Sequence, residues 1–323
     1  MQVSITIPVY NAAAFVRSAV ESALAQPETA EVILVEDGSP DGSLAVCEEL
    51  AAKHNKVHLY RHPRGENRGA ASSRNLGIVN SHFDYVAFLD ADDFYLPGRF
   101  STARAVFEGD PTIDGLYEAI GTHIEDSNGL KQWQAYGQSA DGLTTLTRRV
   151  APENLLEELC RGSSGHFSPD GLVVKRFIFE RAGLFDEHLP LHEDTAMMYK
   201  LAAVARLAPG SLDQPVAMRR VHTQNRISAP RSPSDIYEKR MLLFETVWEW
   251  AKIHLPPEKE RLLFELYLRA AMLWPDAHPH SLLWKVRARI LLAKLPLRSP
   301  SVMRRALYWS CFLPNVNRRM KTA

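Results

Sequence analysis

Tyr85-Val86-Ala87-Phe88-Leu89-Asp90-Ala91-Asp92-Asp93 runs from an apolar stretch straight into three carboxylates packed within four positions. The apolar half reads as a buried strand, so the acids fall where strand gives way to loop. Like charges at that spacing disfavour one another unless something positive lies between them. A divalent cation carrying phosphates meets that need, because hard oxygen ligands suit Mg²⁺ or Mn²⁺.

Upstream, the same pattern of strand and polar end recurs. Val3–Val9 is apolar and β-branched, and Ala13–Ala25 has helical spacing through Phe15, Ala19, Val20 and Ala23. Val32–Val35 reads as a second strand before the turn Gly38-Ser39-Pro40-Asp41-Gly42, and Ser43–Lys53 as a helix through Leu44, Cys47 and Leu50. A third strand, Val57–Tyr60, a helix including Arg74–Val79 and the strand Tyr85–Leu89 complete a βαβαβαβ order. That order predicts an α/β fold with a doubly wound, mainly parallel sheet. Such sheets bind ligands at the carboxyl ends of their strands. Pro8-Val9-Tyr10-Asn11, Glu36-Asp37-Gly38 and Asp90 to Asp93 all fall at such ends.

After Pro97 the alternation loosens. Ile113–Ile124 and Lys131–Tyr136 read as strands around a turn at Asn128-Gly129. Pro152–Cys160 reads as a helix, Gly171–Val174 as a short strand, and Arg176–Ala182 and Glu193–Ala205 as helices. Tyr237–His254, Glu258–Leu273 and Leu282–Leu295 are long helical patterns broken by Pro256-Pro257 and Pro275. The expected division is a catalytic domain at 1–230 and a helical, basic extension at 231–323.

The chain has 323 residues and no net charge, but ten basic residues and no acid follow Asp276. The first 276 residues therefore hold 28 basic residues against 38 acids, a net charge of −10. Cys47, Cys160 and Cys311 are odd in number and widely spaced, which suggests neither a zinc ribbon nor a disulfide framework. No apolar run approaches the ~20 residues that a spanning helix needs, and the first residues lack the features of a signal peptide. The expected location is the cytoplasm, with peripheral attachment to the cytosolic face of a membrane as an extension of that reading.

Several segments together resemble the family 2 glycosyltransferases. They are Ile5-Thr6-Ile7-Pro8-Val9-Tyr10-Asn11, Val35-Glu36-Asp37-Gly38-Ser39-Pro40-Asp41-Gly42-Ser43, Asn67-Arg68-Gly69 with Ser73-Arg74-Asn75-Leu76-Gly77, Leu89-Asp90-Ala91-Asp92-Asp93, and His192-Glu193-Asp194. They stand in the family's order and cover roughly residues 1–225. The resemblance implies the GT-A fold and an inverting, metal-dependent transfer of one sugar from a nucleotide diphosphate sugar. Two departures stand out. Glu36 replaces the first of the family's paired aspartates, and the Gln-x-x-Arg-Trp motif of the processive synthases is absent.

By this resemblance Pro8, Tyr10, Asp37, Gly69, Arg74 and Asp90 bind the nucleotide. Tyr10 would stack on the base, and Asp37 would accept from a pyrimidine N–H, which favours uracil or thymine over cytosine; a UDP-sugar is the expected donor. Each has a plainer alternative: a strand-to-helix turn at Tyr10, a turn aspartate at Asp37, a surface arginine at Arg74. Asp90 and Asp92 form a DxD motif, with Asp92 and the late His222 assigned to a divalent cation. Asp93 has no assigned direction. Asp194 is the candidate general base, with Glu193 orienting the acceptor. Two acids opening a helix are also good capping residues. Arg220 and Arg226 are further candidates for holding phosphate.

The acceptor implied is a glycan or lipid-linked hydroxyl in cell-surface polysaccharide or glycolipid synthesis. Trp284, Ala288, Leu291 and Leu295 share a helical face flanked by Lys285, Arg287, Arg289 and Lys294. The basic segment 284–321 thus fits an anionic membrane surface, or alternatively the acidic body of the same chain. Nucleic acid is not expected, since no reading motif accompanies the charge. A nucleotidyltransferase would open with a Gly-rich loop, a dehydrogenase with GxGxxG, and a DxD phosphatase with its acids near the start. A non-catalytic sugar-nucleotide binder remains as an alternative, although Asp90, Asp92 and Asp194 are all present.

Overall fold

Strands covered on both faces read as continuous apolar runs, as the central stretches of the first, second and fourth strands do, whereas the third, at the sheet edge, is only partly buried. β1 (Val3–Val9), β2 (Thr29–Glu36), β3 (Val57–Arg61) and β4 (Tyr85–Phe88) lie parallel in the order β3-β2-β1-β4. They are joined by α1 (Val16–Leu24), α2 (Ser43–Lys53) and α3 (Gly69–Val79). α1 turns Val16, Ala19, Val20 and Ala23 into a core that includes Ile5, Ile7, Leu34 and Leu89. The computed structural model describes residues 1–135, 137, 139–225 and 232–277, and scattered positions at 289–290, 292–294, 296, 302–303 and 308–309.

Beyond β4 the chain adds β5 (Phe94–Tyr95), α4 (Ser101–Gly109), β6 (Gly115–Tyr117), β7 (Ile120–Ile124), α5 (Ser127–Ala135) and α6 (Leu155–Arg161). Then come β8 (Leu172–Lys175), α7 (Ile178–Ala182), α8 (Glu193–Val204), β9 (Leu207–Pro209) and β10 (Ala217–Val221). The main sheet has seven strands, ordered β3-β2-β1-β4-β8-β6-β9, with β8 antiparallel to both β4 and β6. A second sheet of three strands, β5-β10-β7, pairs β10 antiparallel to β5 and parallel to β7. The doubly wound, mainly parallel sheet expected from sequence is therefore present, extended beyond β4 by three strands of which β8 alone is antiparallel to the rest.

Three expectations are corrected. Of the strand expected at Lys131–Tyr136, residues 131–135 belong to helix α5 and Tyr136 lies outside the described residues, and Asn128-Gly129 lies inside that helix instead of forming a turn. Asp126 accepts the Gly129 N–H at 2.7 Å and so caps the helix, and Gly129 and Trp133, one turn apart, are its buried residues. Gly129 has no room for a side chain, since a Cβ there would lie 2.8 Å from the His222 Cα. Secondly, Ile113–Ile124 is two strands: β6 belongs to the main sheet and β7 to the smaller one. Thirdly, α10 (below) continues past Pro275.

Contacts divide the chain into two compact units, Met1–Pro230 and Arg231–Ala323. The second contains α9 (Pro233–His254) and α10 (Pro257–Ala277). Ser232 caps α9 by accepting the Asp235 N–H at 3.2 Å. The two helices share a core of Tyr237, Met241, Trp248, Phe264, Tyr267 and Leu268, in which Trp248 stacks on Tyr267 at 5.5 Å. No helix among the described residues is long and apolar enough to cross a membrane. Most of the amphipathic pattern Leu282–Leu295, most of segment 284–321 and Arg226 lie outside the described residues.

Candidate active site

The loops after β1 and β2 are built as one piece. Asn11 adopts φ 53°, and three successive backbone N–H groups find side chains from the second loop. Asn11 N–H donates to Ser39 Oγ at 3.1 Å, Ala12 N–H to Ser43 Oγ at 2.9 Å, and Ala13 N–H to Asp41 Oδ2 at 3.0 Å. The loops thereby leave the Tyr10 ring outside, 52% exposed, while Pro8 stays within β1. Glu36 explains its departure from aspartate. Its longer side chain is fully buried and accepts the Ser39 N–H at 2.6 Å and Arg61 Nε at 2.8 Å. Burial opposes its ionisation, but those partners hold its pKa below the usual carboxylate value.

Asp37 is buried and caps α3, accepting Arg68 N–H at 2.7 Å and Gly69 N–H at 2.9 Å on its two oxygens. Gly69 has φ +87° and open space where a side chain would stand. The cap is therefore real; Oδ1 also faces buried His62 Nε2 at 3.5 Å, and Oδ2 retains a second lone pair for another donor. Gly38 has no such space, since a Cβ there would lie 2.6 Å from the Gly65 carbonyl oxygen.

Every named member of Ser73-Arg74-Asn75-Leu76-Gly77 but Leu76 has a visible task. Ser73 Oγ lies 3.1 Å from His62 Nε2. Asn75 clamps the loop before α8 by accepting Phe185 N–H at 2.8 Å and donating to the Phe185 carbonyl at 2.9 Å. Gly77 lets α3 press on β1, where a Cβ would stand 2.2 Å from Thr6 Cγ2. Arg74 is buried, with its guanidinium 5.5 Å from the centre of the Phe185 ring. Its Nη2 donates to Asp90 Oδ1 at 2.6 Å and its Nη1 to Glu193 Oε1 at 3.3 Å. Burial pulls its pKa down, but Asp90, Glu193 and Asp194 together raise it above the ordinary arginine value. One cation thus ties the end of β4 to the start of α8.

The three aspartates after β4 separate. Asp90 is half-exposed, and its N–H donates to Asp170 Oδ1 at 2.9 Å. Asp92 faces His222, with Oδ2 and Nε2 3.1 Å apart, and Asn225 Nδ2 donates to the same oxygen at 3.2 Å. Asp93, whose direction the sequence left open, turns inward and accepts the Arg220 N–H at 2.7 Å. Burial, then the charges of Asp92, Asp170 and Asp90, push the Asp93 carboxyl well above its ordinary pKa. Burial and Asp90 push Asp170 up to about 7. Arg220 Nε donates to the Asp92 carbonyl at 2.9 Å, and its Nη1 meets Glu125 at 2.6 Å. It braces this turn.

Glu193 and Asp194 open α8 behind His192, which has φ 67°. Asp194 Oδ1 accepts the Thr195 N–H at 2.6 Å and the Thr195 hydroxyl at 3.2 Å. Glu193 is buried against Arg74. The structure therefore brings Arg74, Asp90, Glu193 and Asp194 together, and separately joins Asp92 to His222. Sequence reasoning missed Asp170 and Asn225. Asp170 precedes a strand, and that strand is antiparallel to β4, so its beginning lies at the rim.

Residues 4–180 match the family model described as glycosyl transferase family 2. Among curated proteins the chain is similar to the succinoglycan biosynthesis protein ExoU of Rhizobium meliloti (strain 1021). The two are 44% identical over 199 residues, which is 59% of this chain and 54% of that one. The chain spans about a third to about a half of the length of the first curated relatives it matches. Among solved structures it resembles S. aureus TarS 1–349 in complex with UDP-GlcNAc, with TM-score 0.65 and 20% identity over 89% of this chain and 79% of that one. The mannosyltransferase PcManGT of Pyrobaculum calidifontis, solved with GDP-Man and Mn²⁺, gives TM-score 0.56 and 17% identity, covering 96% and 82%. These likenesses show the GT-A fold, and the family match over more than half of the chain shows the enzyme class: the chain belongs to glycosyl transferase family 2.

Proposed function

We propose that the chain transfers one sugar, with inversion, from a nucleotide diphosphate sugar to a hydroxyl of a glycan or lipid-linked acceptor in cell-surface polysaccharide or glycolipid synthesis. The observation that carries this reading is the bridge of Arg74 between Asp90 and Glu193. It joins the acids of the proposed donor side to the helix end bearing the proposed base. A UDP-sugar is the proposed donor, with Tyr10 stacking on the base, Asp37 accepting from a pyrimidine N–H and Asp90 facing the ribose. Pro8 and Gly69 shape the backbone beside the nucleotide, and Arg74 acts on the donor through Asp90. The structural relative solved with UDP-GlcNAc supports the donor class.

Asp92 offers a carboxylate oxygen, the ligand type that suits Mg²⁺ or Mn²⁺, and His222 Nε2 lies 3.1 Å from it. Such an ion, when bound, supplies Lewis-acid stabilisation of the departing diphosphate. Asp194 has Oδ1 engaged by Thr195, leaving Oδ2 for the acceptor hydroxyl. As the acceptor oxygen bonds to the anomeric carbon, the bond from that carbon to the diphosphate oxygen breaks. Asp194 takes the hydroxyl proton, and the nucleoside diphosphate leaves. A single displacement needs one base and no covalent intermediate. Glu193, held by Arg74, orients the acceptor. Catalysis on the cytosolic face of a membrane, with the basic tail docking there, completes the reading.

Incubation with UDP-, GDP- and dTDP-sugars plus Mn²⁺ should give slow, metal-dependent donor hydrolysis. Asp194→Asn should still bind Mn²⁺–UDP while transfer falls by about 10²–10⁴-fold, the usual contribution of a positioned base. Unchanged transfer would remove Asp194 from the mechanism, and failure of every nucleotide sugar to bind would remove the donor site.

A further inference from the structure

Asp170 belongs to none of the motifs and is buried just behind the rim. Its Oδ1 accepts the Asp90 N–H at 2.9 Å. Oxygens of Asp90, Asp93 and Asp170 all lie within 4.8 Å of one another. Asp170 is itself held from behind. Arg99 Nε donates to the Asp170 carbonyl at 3.2 Å and Arg99 Nη2 to the Leu172 carbonyl at 3.3 Å. Arg99 is fully buried, pairs with fully buried Glu118 at 2.6 Å, and lies 4.9 Å from the centre of the Phe100 ring. The next residue, Gly171, touches the same support, because a Cβ there would lie 2.2 Å from the Glu118 carbonyl oxygen. The carboxylate gripping the Asp90 N–H is therefore mounted on rigid packing, and that rigidity passes to the turn.

We propose that Asp170 is a positioning residue of the donor site: by accepting the Asp90 N–H it sets the turn Asp90–Asp93 so that Asp90 faces the nucleotide and Asp92 faces the cation. The inference rests on the donor-site reading above. Outer-shell partners of this kind typically change metal affinity by about 10–100-fold when removed. Asp170→Ala deletes the acceptor. Asp170→Asn keeps an oxygen for the Asp90 N–H and offers its amide N–H toward Asp93.

Calorimetric titration of Mn²⁺ and UDP into the full chain tests this. Asp170→Ala should weaken Mn²⁺-dependent UDP binding by about 10-fold or more, and Asp170→Asn should stay within about 3-fold of the wild type. A purely structural residue would lower thermal stability while leaving the affinity of the folded protein unchanged, so wild-type affinity in Asp170→Ala overturns the proposal. If Asp170→Ala does not fold, Asp170→Asn decides, and a loss of about 10-fold there overturns it as well. Asp92→Asn separates the two readings. If it loses metal-dependent binding while Asp170→Ala does not, only Asp170's role fails. If the wild type itself binds no Mn²⁺–UDP, the donor site fails and this proposal with it.

Discussion

At the end of β4, acids at the rim and acids just behind it are handled in opposite ways. Asp90 and Asp92 keep 39% and 31% of their side chains exposed, so water screens their charge until a ligand arrives. Asp93 and Asp170 are 3% and 1% exposed, and behind them Arg99 and Glu118 are sealed completely. Charge removed from water must be matched within the protein or neutralised by a proton. The front is therefore open to a ligand, as the proposed donor site requires, and the back is closed around its own charges.

The largest expected effect tests the back. Glu118→Ala would strand the Arg99 guanidinium without its carboxylate and empty the space beside Gly210. Breaking a buried pair from one side costs about 3–5 kcal/mol, to be measured by urea unfolding. A loss below about 1 kcal/mol, the range of an exposed pair, would mean that the back is not load-carrying and the contrast fails. On the front, Asp92→Asn should leave unfolding within about 0.5 kcal/mol of the wild type while weakening Mn²⁺-dependent UDP binding about 10–100-fold. Comparable losses in both measurements would erase the distinction.

Acidity offers a smaller test. Asp170 is raised from 3.8 to about 7, and Asp93 is raised too. Between those values these two carboxyls hold more protons in the folded chain than in the unfolded one, so the stability they contribute falls as pH rises from about 4 to about 7. Metal-free unfolding followed across that window should show the decline, and Asp170→Asn should flatten part of it. A difference between wild type and Asp170→Asn that stays constant or widens in favour of the wild type through the window would reverse the sign.

The same contrast separates what the sequence made legible from what it hid. Val3–Val9, Val32–Val35 and Tyr85–Leu89 announce themselves by apolar runs, and the polar residues after parallel strands are found by counting forward. Asp37, Asp90 and Asp92 were reachable in that way, and Arg74 through the family resemblance. Asp170 was not, because counting forward from an antiparallel strand leads away from the rim. Helix α5 was missed for a related reason. Asn128-Gly129 carries a turn signal, yet Gly129 serves close approach to His222, a contact formed with a residue 93 positions later. Glu36 looked like a departure from the family's aspartate, and only its two partners, Ser39 and Arg61, show why the longer acid fits.

Tyr10 gives the smallest and most local test of the front. Its ring is 52% exposed, so its removal leaves no cavity and should change folding stability by no more than about 0.5 kcal/mol. If the ring serves the nucleobase, Tyr10→Ala should weaken UDP binding by about 1–3 kcal/mol, the range for a base stacked on an aromatic side chain. Tyr10→Phe should retain most of that affinity, because stacking uses the ring face and not the hydroxyl. The ribose and diphosphate contacts proposed for Asp90 and Asp92 lie elsewhere, so binding of a ribose 5-diphosphate lacking the base should be unaffected. Equal losses for the base-containing and base-free ligands would show that Tyr10 shapes the loop instead of meeting the base. The exposed front would then owe its binding to acids alone.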